Sequence, residues 1–403
     1  MSLTSVLSSP TFAAFRSRDF RLLWFGNLLS NSGGWMQRVA QPWLVLSLSQ
    51  SPFLLGLDAF AADAPLIALL LFGGVIADRG NRRLIITISQ TIQMSSAALI
   101  AFLVFTGRAE VWMIISLSFL IGTVQSFSIP AYQALVPALV PRAHLSNAIA
   151  LNSTQFNLSR IIGPALAGLV MAGLGIGWCF ALNSFSFLAL IIAVRAIDDP
   201  RHLPAQGEAA SLRSGIRSIL GDRDLATLIL IIASTSLLCG PLLTFIPVLA
   251  RDVHGSGPEG FSLLLSVFGL GALVGAVFIA SVDQGKLGVR TVLGCAFILS
   301  TMVIGTSLAP SLAWAGVLLF AAGLAFIGCN AVANTLLQSR VGDELRGRAA
   351  SLFVLSFRGA LPIGNLISGL TVDRLGVSRA LCLNGVLALL SLLLIARRDR
   401  LAT

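Results

Sequence analysis

Long apolar segments recur along almost the whole chain, and this repetition constrains the fold more than any other feature. A helix that spans the hydrocarbon core of a bilayer needs roughly 20 predominantly apolar residues. Twelve segments meet that requirement, separated by mostly short polar loops. Because lipid offers no hydrogen-bond partner to the backbone, each segment is predicted to be a helix. The segments are 22–48, 54–77, 85–106, 111–134, 149–172, 176–194, 225–249, 261–281, 289–309, 312–335, 349–372 and 378–396.

The composition argues against a water-soluble fold. Of the 403 residues, 56% are hydrophobic and 11% are charged, and the mean hydropathy is +0.90. A soluble domain averages about a quarter charged residues. The lipid bilayer is therefore the expected partner of most of the surface, and the loops leave no room for a sizeable soluble domain.

The basic residues lie mainly in alternate loops. The net charge is +10, but the charges are distributed over short loops and form no single patch, so nucleic acid is not expected as a partner. On one side of the predicted helices the basic residues are only Arg108, Arg251, Arg374 and Arg379. The positive-inside rule places the opposite side, with both termini, in the cytoplasm. We expect a multi-pass protein of the bacterial inner membrane.

The longest polar stretch divides the chain near its middle. Residues 196–224 combine several arginines with acidic residues, Pro and Gly, a composition typical of a linker. We predict a six-helix bundle in 1–195, a cytoplasmic linker in 196–224 and a second six-helix bundle in 225–403.

The two predicted bundles resemble each other weakly. A proline, an aspartate and an Arg-x-x-x-Pro segment recur in each half at similar spacing. The pairs are Pro42 with Pro247, Asp78 with Asp283, and Arg160-x-x-x-Pro164 with Arg358-x-x-x-Pro362. Transporters built from two related halves bind their substrate between the halves, near the middle of the membrane. The sequence thus predicts an all-α integral membrane fold of 12 transmembrane helices in two pseudo-symmetric six-helix bundles.

Neither an enzyme nor a metal site is predicted. Each cysteine lies inside an apolar segment without a Cys-x-x-Cys pattern, so neither a disulfide nor a metal site is expected. The histidines are isolated in loops, and neither a nucleophile–base pair nor a phosphate-binding loop occurs. The cysteines are Cys179, Cys239, Cys295, Cys329 and Cys382, and the histidines are His144, His202 and His254.

The loop after the second segment carries a recognisable pattern. Residues 73–83 read Gly-Gly-Val-Ile-Ala-Asp-Arg-Gly-Asn-Arg-Arg, which resembles the signature loop of the major facilitator superfamily, G-x-x-x-D-R-x-G-R-R. Asn81 stands where the motif has its second glycine, and asparagine tolerates the same left-handed turn. In this conformational-switch loop, Gly74 is expected to allow close helix packing and Asp78 to pair with arginine or cap a helix. The residues of the loop are Gly74, Asp78, Arg79, Arg82 and Arg83.

Further segments resemble the drug:proton antiporter branch of that superfamily, which includes enterobactin exporters and macrolide efflux proteins. They are the segments 35–46 and 342–351, together with an antiporter-like motif at Gly163, Pro164 and Gly168. The resemblance implies that a monomer exports a small amphiphilic compound, a drug or a siderophore, by alternating access. The proton gradient would supply the energy, and no cofactor is implied. Uptake, facilitated transport and lysophospholipid flipping remain alternatives within the superfamily.

Ionisable residues at membrane depth are costly, which makes them functional candidates. The sequence has five: Arg38, Asp58, Asp63, Arg160 and Arg358. Burial favours the protonated form of a carboxyl group, as proton coupling requires, so both aspartates are candidates. Asp58 is expected near the headgroups and in water, and Asp63 deeper, either as a proton carrier or in a fixed ion pair with Arg38. Arg160 and Arg358 fall at corresponding places in the two halves, where they either hold the halves together or bind an anionic group.

Polar residues form a stripe along the first predicted helix. Asn27, Asn31, Gly34, Arg38 and Gln41 follow one another at steps of three and four, which puts them on one face. Such a face contacts protein or a wet cavity and not lipid, although Arg38 has the alternative of capping backbone carbonyls near the helix end. The helix order of the family adds further cavity candidates. These are Gln125 and Tyr132 in the fourth segment and Asn330 and Asn334 in the tenth.

Overall fold

The computed structural model describes residues 10–197, 221–282, 287–341 and 346–400, and within these ranges the chain is helical and contains no strand. A short 3-10 turn, Pro10–Arg16, precedes the first long helix. The helices of the first half are α1 (Arg18–Ser49), α2 (Pro52–Arg79), α3 (Arg82–Phe105), α4 (Val111–Ala138), α5 (Leu145–Gly173) and α6 (Ile176–Ala196).

The second half begins with a broken helix. Its helices are α7 (Arg223–Leu238), α8 (Pro241–Val248), α9 (Pro258–Ser281), α10 (Val289–Ser307), α11 (Leu312–Ser339), α12 (Arg346–Leu375) and α13 (Val377–Arg400). The predicted segment 225–249 is divided between α7 and α8, and a π-helical turn, Leu249–Val253, completes the span. The break occurs at Gly240, because Pro241 has no backbone N–H and starts a new helix more readily than it continues one.

Eleven of the twelve predicted apolar segments each correspond to one helix, and segment 225–249 corresponds to α7 and α8 together. Eleven helical segments within the described ranges are long and apolar enough to cross a membrane. The remaining predicted span is α1, which has ample length at 32 residues. It is less apolar because Asn27, Gln37, Arg38 and Gln41 interrupt it.

The chain folds into two compact units. The first contains α1 to Leu48 and the chain from Ala61 through α6, and the second contains Ser49–Phe60 and α7 to α13. The start of α2 thus belongs to the second unit, whereas the sequence predicted all of α2 in the first bundle. The physical reason is Gly56. Because it has no side chain, the helical turn of α2 around Gly56 approaches the backbone of α12 closely. Most of the predicted linker 196–224 lies outside the described residues.

Glycines bring helices together in the same way in each unit. In the first, a Cβ on Gly122 of α4 would overlap the backbone oxygen of Ala62 in α2. In the second, a Cβ on Gly323 of α11 would overlap the backbone oxygen of Phe268 in α9. Small residues allow such close approach of helix backbones, which supplies packing energy where lipid provides no hydrophobic drive.

The close contact at the end of α2 is made by Gly73 and not by Gly74. A Cβ on Gly73 would overlap the backbone oxygen of Ser126 in α4, whereas no described atom lies within 4 Å of such an atom on Gly74. The packing role predicted for Gly74 was therefore wrong. Adjacent helix residues point about 100° apart, and the motif does not show which of two neighbouring glycines faces α4.

We expect Gly73→Ala to destabilise the protein and Gly74→Ala to leave its stability unchanged. The Gly73 contact involves a backbone atom that cannot rotate away, so the expected cost is about 1–3 kcal/mol. At Gly74 the added methyl group meets open space. Thermal unfolding of the two purified variants in detergent, followed by tryptophan fluorescence, measures the difference. Equal unfolding midpoints would contradict the contact between α2 and α4 at this level.

Candidate functional site

Buried polar side chains connect α1 with α4 and α5. Asn27 Nδ2 donates to Tyr132 Oη at 2.7 Å and to Gln155 Oε1 at 2.9 Å. Tyr132 Oη donates to Asn152 Oδ1 at 2.9 Å, and Gln155 Nε2 donates to Ser159 Oγ at 3.1 Å. Two predicted cavity residues, Asn27 and Tyr132, therefore lie together. Their hydrogen bonds satisfy polar groups that would be costly in lipid and hold the three helices in register.

A second chain of hydrogen bonds follows later along α1. Gln41 Nε2 donates to Ser118 Oγ of α4 at 2.8 Å, and Gln37 Nε2 donates to Gln41 Oε1 at 3.2 Å. Asn183 Nδ2 of α6 donates to Gln37 Oε1 at 2.6 Å. The polar face of α1 is thus largely in contact with protein, one of the two surroundings that the sequence allowed.

Two other cavity candidates have simpler surroundings. Gln125 Nε2 of α4 donates to Gln93 Oε1 of α3 at 3.2 Å. Asn31 is half-buried on α1, and Gly34, one turn later, has nothing within 4 Å of the position of a Cβ.

Two arginines share the ring of Trp35. Arg38 Cζ lies 5.0 Å from the ring centroid and Arg160 Cζ lies 5.6 Å from it, both within the range of a cation–π contact. Phe156 packs edge-on against the same ring at a centroid distance of 5.9 Å. Arg38 and Phe156 are exposed, while Trp35 and Arg160 are half-buried. The structure thus gathers two of the five predicted intramembrane charges into one accessible cluster, here called the Trp35 cluster (Trp35, Arg38, Phe156 and Arg160).

The antiporter-like motif makes the contact that places this cluster. A Cβ on Gly163 would overlap the Cβ of Trp35, so α5 and α1 touch at this level. Pro164 is buried and Gly168 is half-buried on the same helix. Arg160 lies one turn before Gly163, and the close helix approach brings its guanidinium to the ring.

Arg160 and Arg358 are not equivalent in helix packing. A Cβ on Gly364 of α12 would overlap the backbone oxygen of Leu237 in α7, as Gly163 meets α1 in the other unit. Arg160 precedes its packing glycine by three residues, whereas Arg358 precedes Gly364 by six, a difference of about one helical turn. The two arginines thus differ in their spacing from the glycine that packs their helix, and their correspondence stays a prediction from the sequence pattern. Arg358 is exposed on α12.

The two acidic candidates on α2 are buried in the reverse of the expected order. Asp58 is 4% exposed, whereas Asp63 is half-buried. The expectation that Asp58 lies in water was wrong, because the turn of α2 around Gly56 packs on α12. The structure shows no ion pair of Asp63 among the described residues, and its pairing with Arg38 stays a prediction. Asp58 is thus the more desolvated carboxyl group.

The arginines of the switch loop hold helix ends. Arg82 Nη1 donates to the Ala134 oxygen of α4 at 3.1 Å. Arg83 donates to the Val194 and Arg195 oxygens at the end of α6, at 3.1 and 3.0 Å. A cationic donor at a helix C-terminus satisfies free carbonyls and complements the helix dipole. The loop arginines therefore tie the start of α3 to α4 and α6.

The turn between α2 and α3 keeps its helix cap despite the departure from the motif. Asn81 Oδ1 accepts a hydrogen bond from Leu84 N at 3.1 Å, which is the contact of an N-cap. The side chains of Asp78 and Arg79 lie outside the described residues.

Polar residues also follow α11 in the second unit. Gln338 Nε2 donates to Asn334 Oδ1 at 2.9 Å, and Asn330 Nδ2 donates to the Phe326 oxygen one turn earlier at 2.8 Å. Asn330 Oδ1 is buried and accepts no hydrogen bond from any residue that the structure describes.

Sequence reasoning missed the residues at the centre of these contacts. In the sequence, Trp35 belongs to a segment that resembles a family, and no pattern singles out Gln155. The available signals were weak: Trp35 lies one turn before Arg38, and Gln155 lies one turn before Ser159 on α5.

The chain is similar to known membrane transporters over most of its length. It matches the family model described as transmembrane secretion effector over residues 9–402. It is 23% identical over 358 residues to macrolide efflux protein A of Streptococcus pyogenes, which covers 85% of this chain and 84% of that protein. It is 24% identical over 368 residues to the staphyloferrin A transporter of Staphylococcus aureus, which covers 88% of this chain and 89% of that protein. The crystal structure of the nucleoside transporter NupG superposes with a TM-score of 0.76 at 11% identity, covering 94% of this chain and 98% of NupG.

These similarities confirm the predicted all-α fold of 12 transmembrane helices in two six-helix bundles and the resemblance to macrolide efflux proteins. They also show a multi-pass membrane transporter, and not an enzyme. Since the family model matches nearly the whole chain, the protein belongs to the transmembrane secretion effector family, within the major facilitator superfamily.

Proposed function

We propose that this transporter exports a small amphiphilic compound across the bacterial inner membrane by alternating access, in exchange for protons. The direction is supported by the macrolide efflux protein, and the kind of compound by that protein and the staphyloferrin A transporter. Rocking of residues 1–195 against residues 225–403 would expose the substrate to each side of the membrane in turn.

The observation that carries the proton coupling is the burial of Asp58. Asp58 is a carboxyl group that is only 4% exposed inside a spanning helix, and ionisable groups at membrane depth are functional candidates. With the arginine-rich loops in the cytoplasm, the start of α2 faces the outside, from which protons enter. Asp58 is therefore assigned the role of proton carrier in this proposal.

Proton movement in proteoliposomes tests this assignment with two matched variants on one helix. We expect an exported compound to drive proton movement in the wild-type protein and in Asp63→Asn, but not in Asp58→Asn. Exchange of labelled against unlabelled substrate should persist in Asp58→Asn, because exchange needs no net proton transfer. The compounds would be a macrolide, a catecholate siderophore and a lipophilic cation.

Two outcomes would contradict the proposal in different ways. If Asp63→Asn lost proton movement and Asp58→Asn retained it, Asp63 and not Asp58 would be the proton carrier. Transport that proceeds undiminished without a proton gradient would replace coupled export by facilitated transport or by lipid flipping.

A further inference from the structure

We infer that the compound carries a carboxylate beside an aromatic or apolar body, and that the Trp35 cluster binds it. The inference rests on the proposed function, because the ligand is the compound that the transporter is proposed to export. The binding itself requires neither proton coupling nor a direction of transport, so it can be tested separately.

Arg160 carries a charge that no described residue neutralises. It is half-buried on α5 and makes neither an ion pair nor a hydrogen bond within the described parts of the chain. Its contact is the face of Trp35. A guanidinium has five N–H donors, and leaving them without acceptors at membrane depth is costly. A carboxylate offers two acceptor oxygens that match two parallel donors of the guanidinium.

Arg38 adds a second positive charge beside the same ring. Each guanidinium carbon lies within 5.6 Å of the Trp35 centroid. Both guanidinium groups are positive, so an anion beside the ring is attracted to the Arg160 charge and lies within reach of Arg38. Because the Arg38 side chain is exposed, an anion can reach it without a rearrangement of α1.

The aromatic groups of the cluster favour an amphiphile over a simple anion. Phe156 is 45% exposed and stands edge-on to the Trp35 ring. An inorganic anion would leave this apolar surface unused, whereas an aryl or alkyl group attached to the carboxylate would cover it. A lipophilic cation could also cover this surface but would be repelled by the Arg160 guanidinium.

The cluster is built on helices whose spacing is fixed. Ser159 Oγ donates to the Leu28 oxygen of α1 at 3.3 Å, and Gly163 brings the backbone of α5 against Trp35. Arg160 lies between these two contacts along α5. Its side chain is therefore held beside the ring before a ligand arrives, which lowers the entropy cost of binding.

Ligand-dependent thermal unfolding of the purified protein in detergent tests the charge preference. The probes are naphthylacetate and dansylglycine as amphiphilic carboxylates, naphthylacetamide as the uncharged counterpart, and tetraphenylphosphonium as a lipophilic cation. We expect the carboxylates to raise the unfolding midpoint, and the amide and the cation not to do so. The inference would be overturned if the amide stabilised the protein as much as its acid did. It would also be overturned if only the cation stabilised the protein, or if neither carboxylate did.

Substitutions of Arg160 separate a binding role from a structural one. Arg160→Gln should weaken carboxylate binding by about tenfold or more, and Arg160→Lys, which keeps the charge but not the planar fork, should weaken it less. Arg108→Gln, in an exposed loop, removes the same charge elsewhere and should change nothing.

The stability of the ligand-free variant gives a second criterion. Without ligand, Arg160→Gln should unfold at the wild-type temperature or above, because it removes a charge that no protein group neutralises. A lower unfolding midpoint would make Arg160 structural and would overturn the inference. Neither result depends on Asp58, so failure of carboxylate binding and failure of proton coupling remain distinguishable.

Discussion

Gly163→Ala is expected to reduce transport by about tenfold or more, in step with a loss of roughly 1–3 kcal/mol of stability. The added Cβ would overlap the Cβ of Trp35 and lie 2.8 Å from the Ser32 oxygen and 3.0 Å from Met36 N. All three atoms belong to the backbone of α1 or are fixed to it, so no change of rotamer relieves the contact. The two helices must move apart.

That separation reaches the Trp35 cluster directly. Arg160 lies one turn before Gly163, so a shift of α5 away from α1 withdraws its guanidinium from the Trp35 ring. The hydrogen bond from Ser159 Oγ to the Leu28 oxygen, already 3.3 Å long, would also lengthen. We therefore expect the variant to lose carboxylate binding as well as stability.

The control for this effect is Gly173→Ala at the other end of the same helix. Nothing lies within 4 Å of a Cβ at Gly173, so this substitution adds the same atom without a clash. The measurements are the transport rate per reconstituted protein and the unfolding midpoint of each variant. Wild-type transport by Gly163→Ala would show that α1 and α5 are not in close contact at Trp35.

The positions of the helices could be predicted from the sequence because lipid leaves the backbone few choices. A segment such as 312–335 must be helical once it lies in the bilayer, and the structure places α11 at Leu312–Ser339. The break at Gly240 was missed, because apolar length alone does not distinguish one continuous helix from two in sequence. The Gly-Pro pair was the local signal for it.

The contacts between helices were harder to predict, for a physical reason. A helix that is apolar on all sides gives no sign of which face meets protein and which meets lipid. For this reason Gly74 was chosen over Gly73, and Asp58 was expected in water although it is buried. The polar stripe of α1 did indicate a face in contact with protein or water. It could not name Gln155 as a partner, because hydrogen-bond partners on another helix depend on helix rotation and register.

Gly56→Ala is expected to separate the start of α2 from α12 and to weaken proton coupling. A Cβ on Gly56 would lie 2.5 Å from the Asn365 oxygen and 3.1 Å from the Gly369 Cα, and backbone atoms cannot yield as a side chain can. Just before this contact, Ser51 Oγ donates to Asp373 Oδ1 at 3.1 Å. The substitution is expected to lower the free energy of unfolding by about 1–3 kcal/mol. The structural change should be largest where α2 contacts α12.

The distance between the two helices can be measured directly. In a protein whose native cysteines are replaced, the pair Ser51→Cys and Asp373→Cys should form a disulfide under mild oxidation. Adding Gly56→Ala should slow its formation by about tenfold. Adding Gly269→Ala should not, because nothing lies within 4 Å of a Cβ at that glycine of α9.

The consequence for coupling follows from the position of Asp58, half a turn after Gly56. If α2 lifts from α12, Asp58 loses the buried position in which the proposal assigns it the coupling role. Proton movement should then fall more than substrate exchange, the pattern also expected for Asp58→Asn. Slow disulfide formation with normal coupling would separate the burial of Asp58 from its proposed role. Unchanged disulfide formation would show that Gly56 is not what holds α2 against α12.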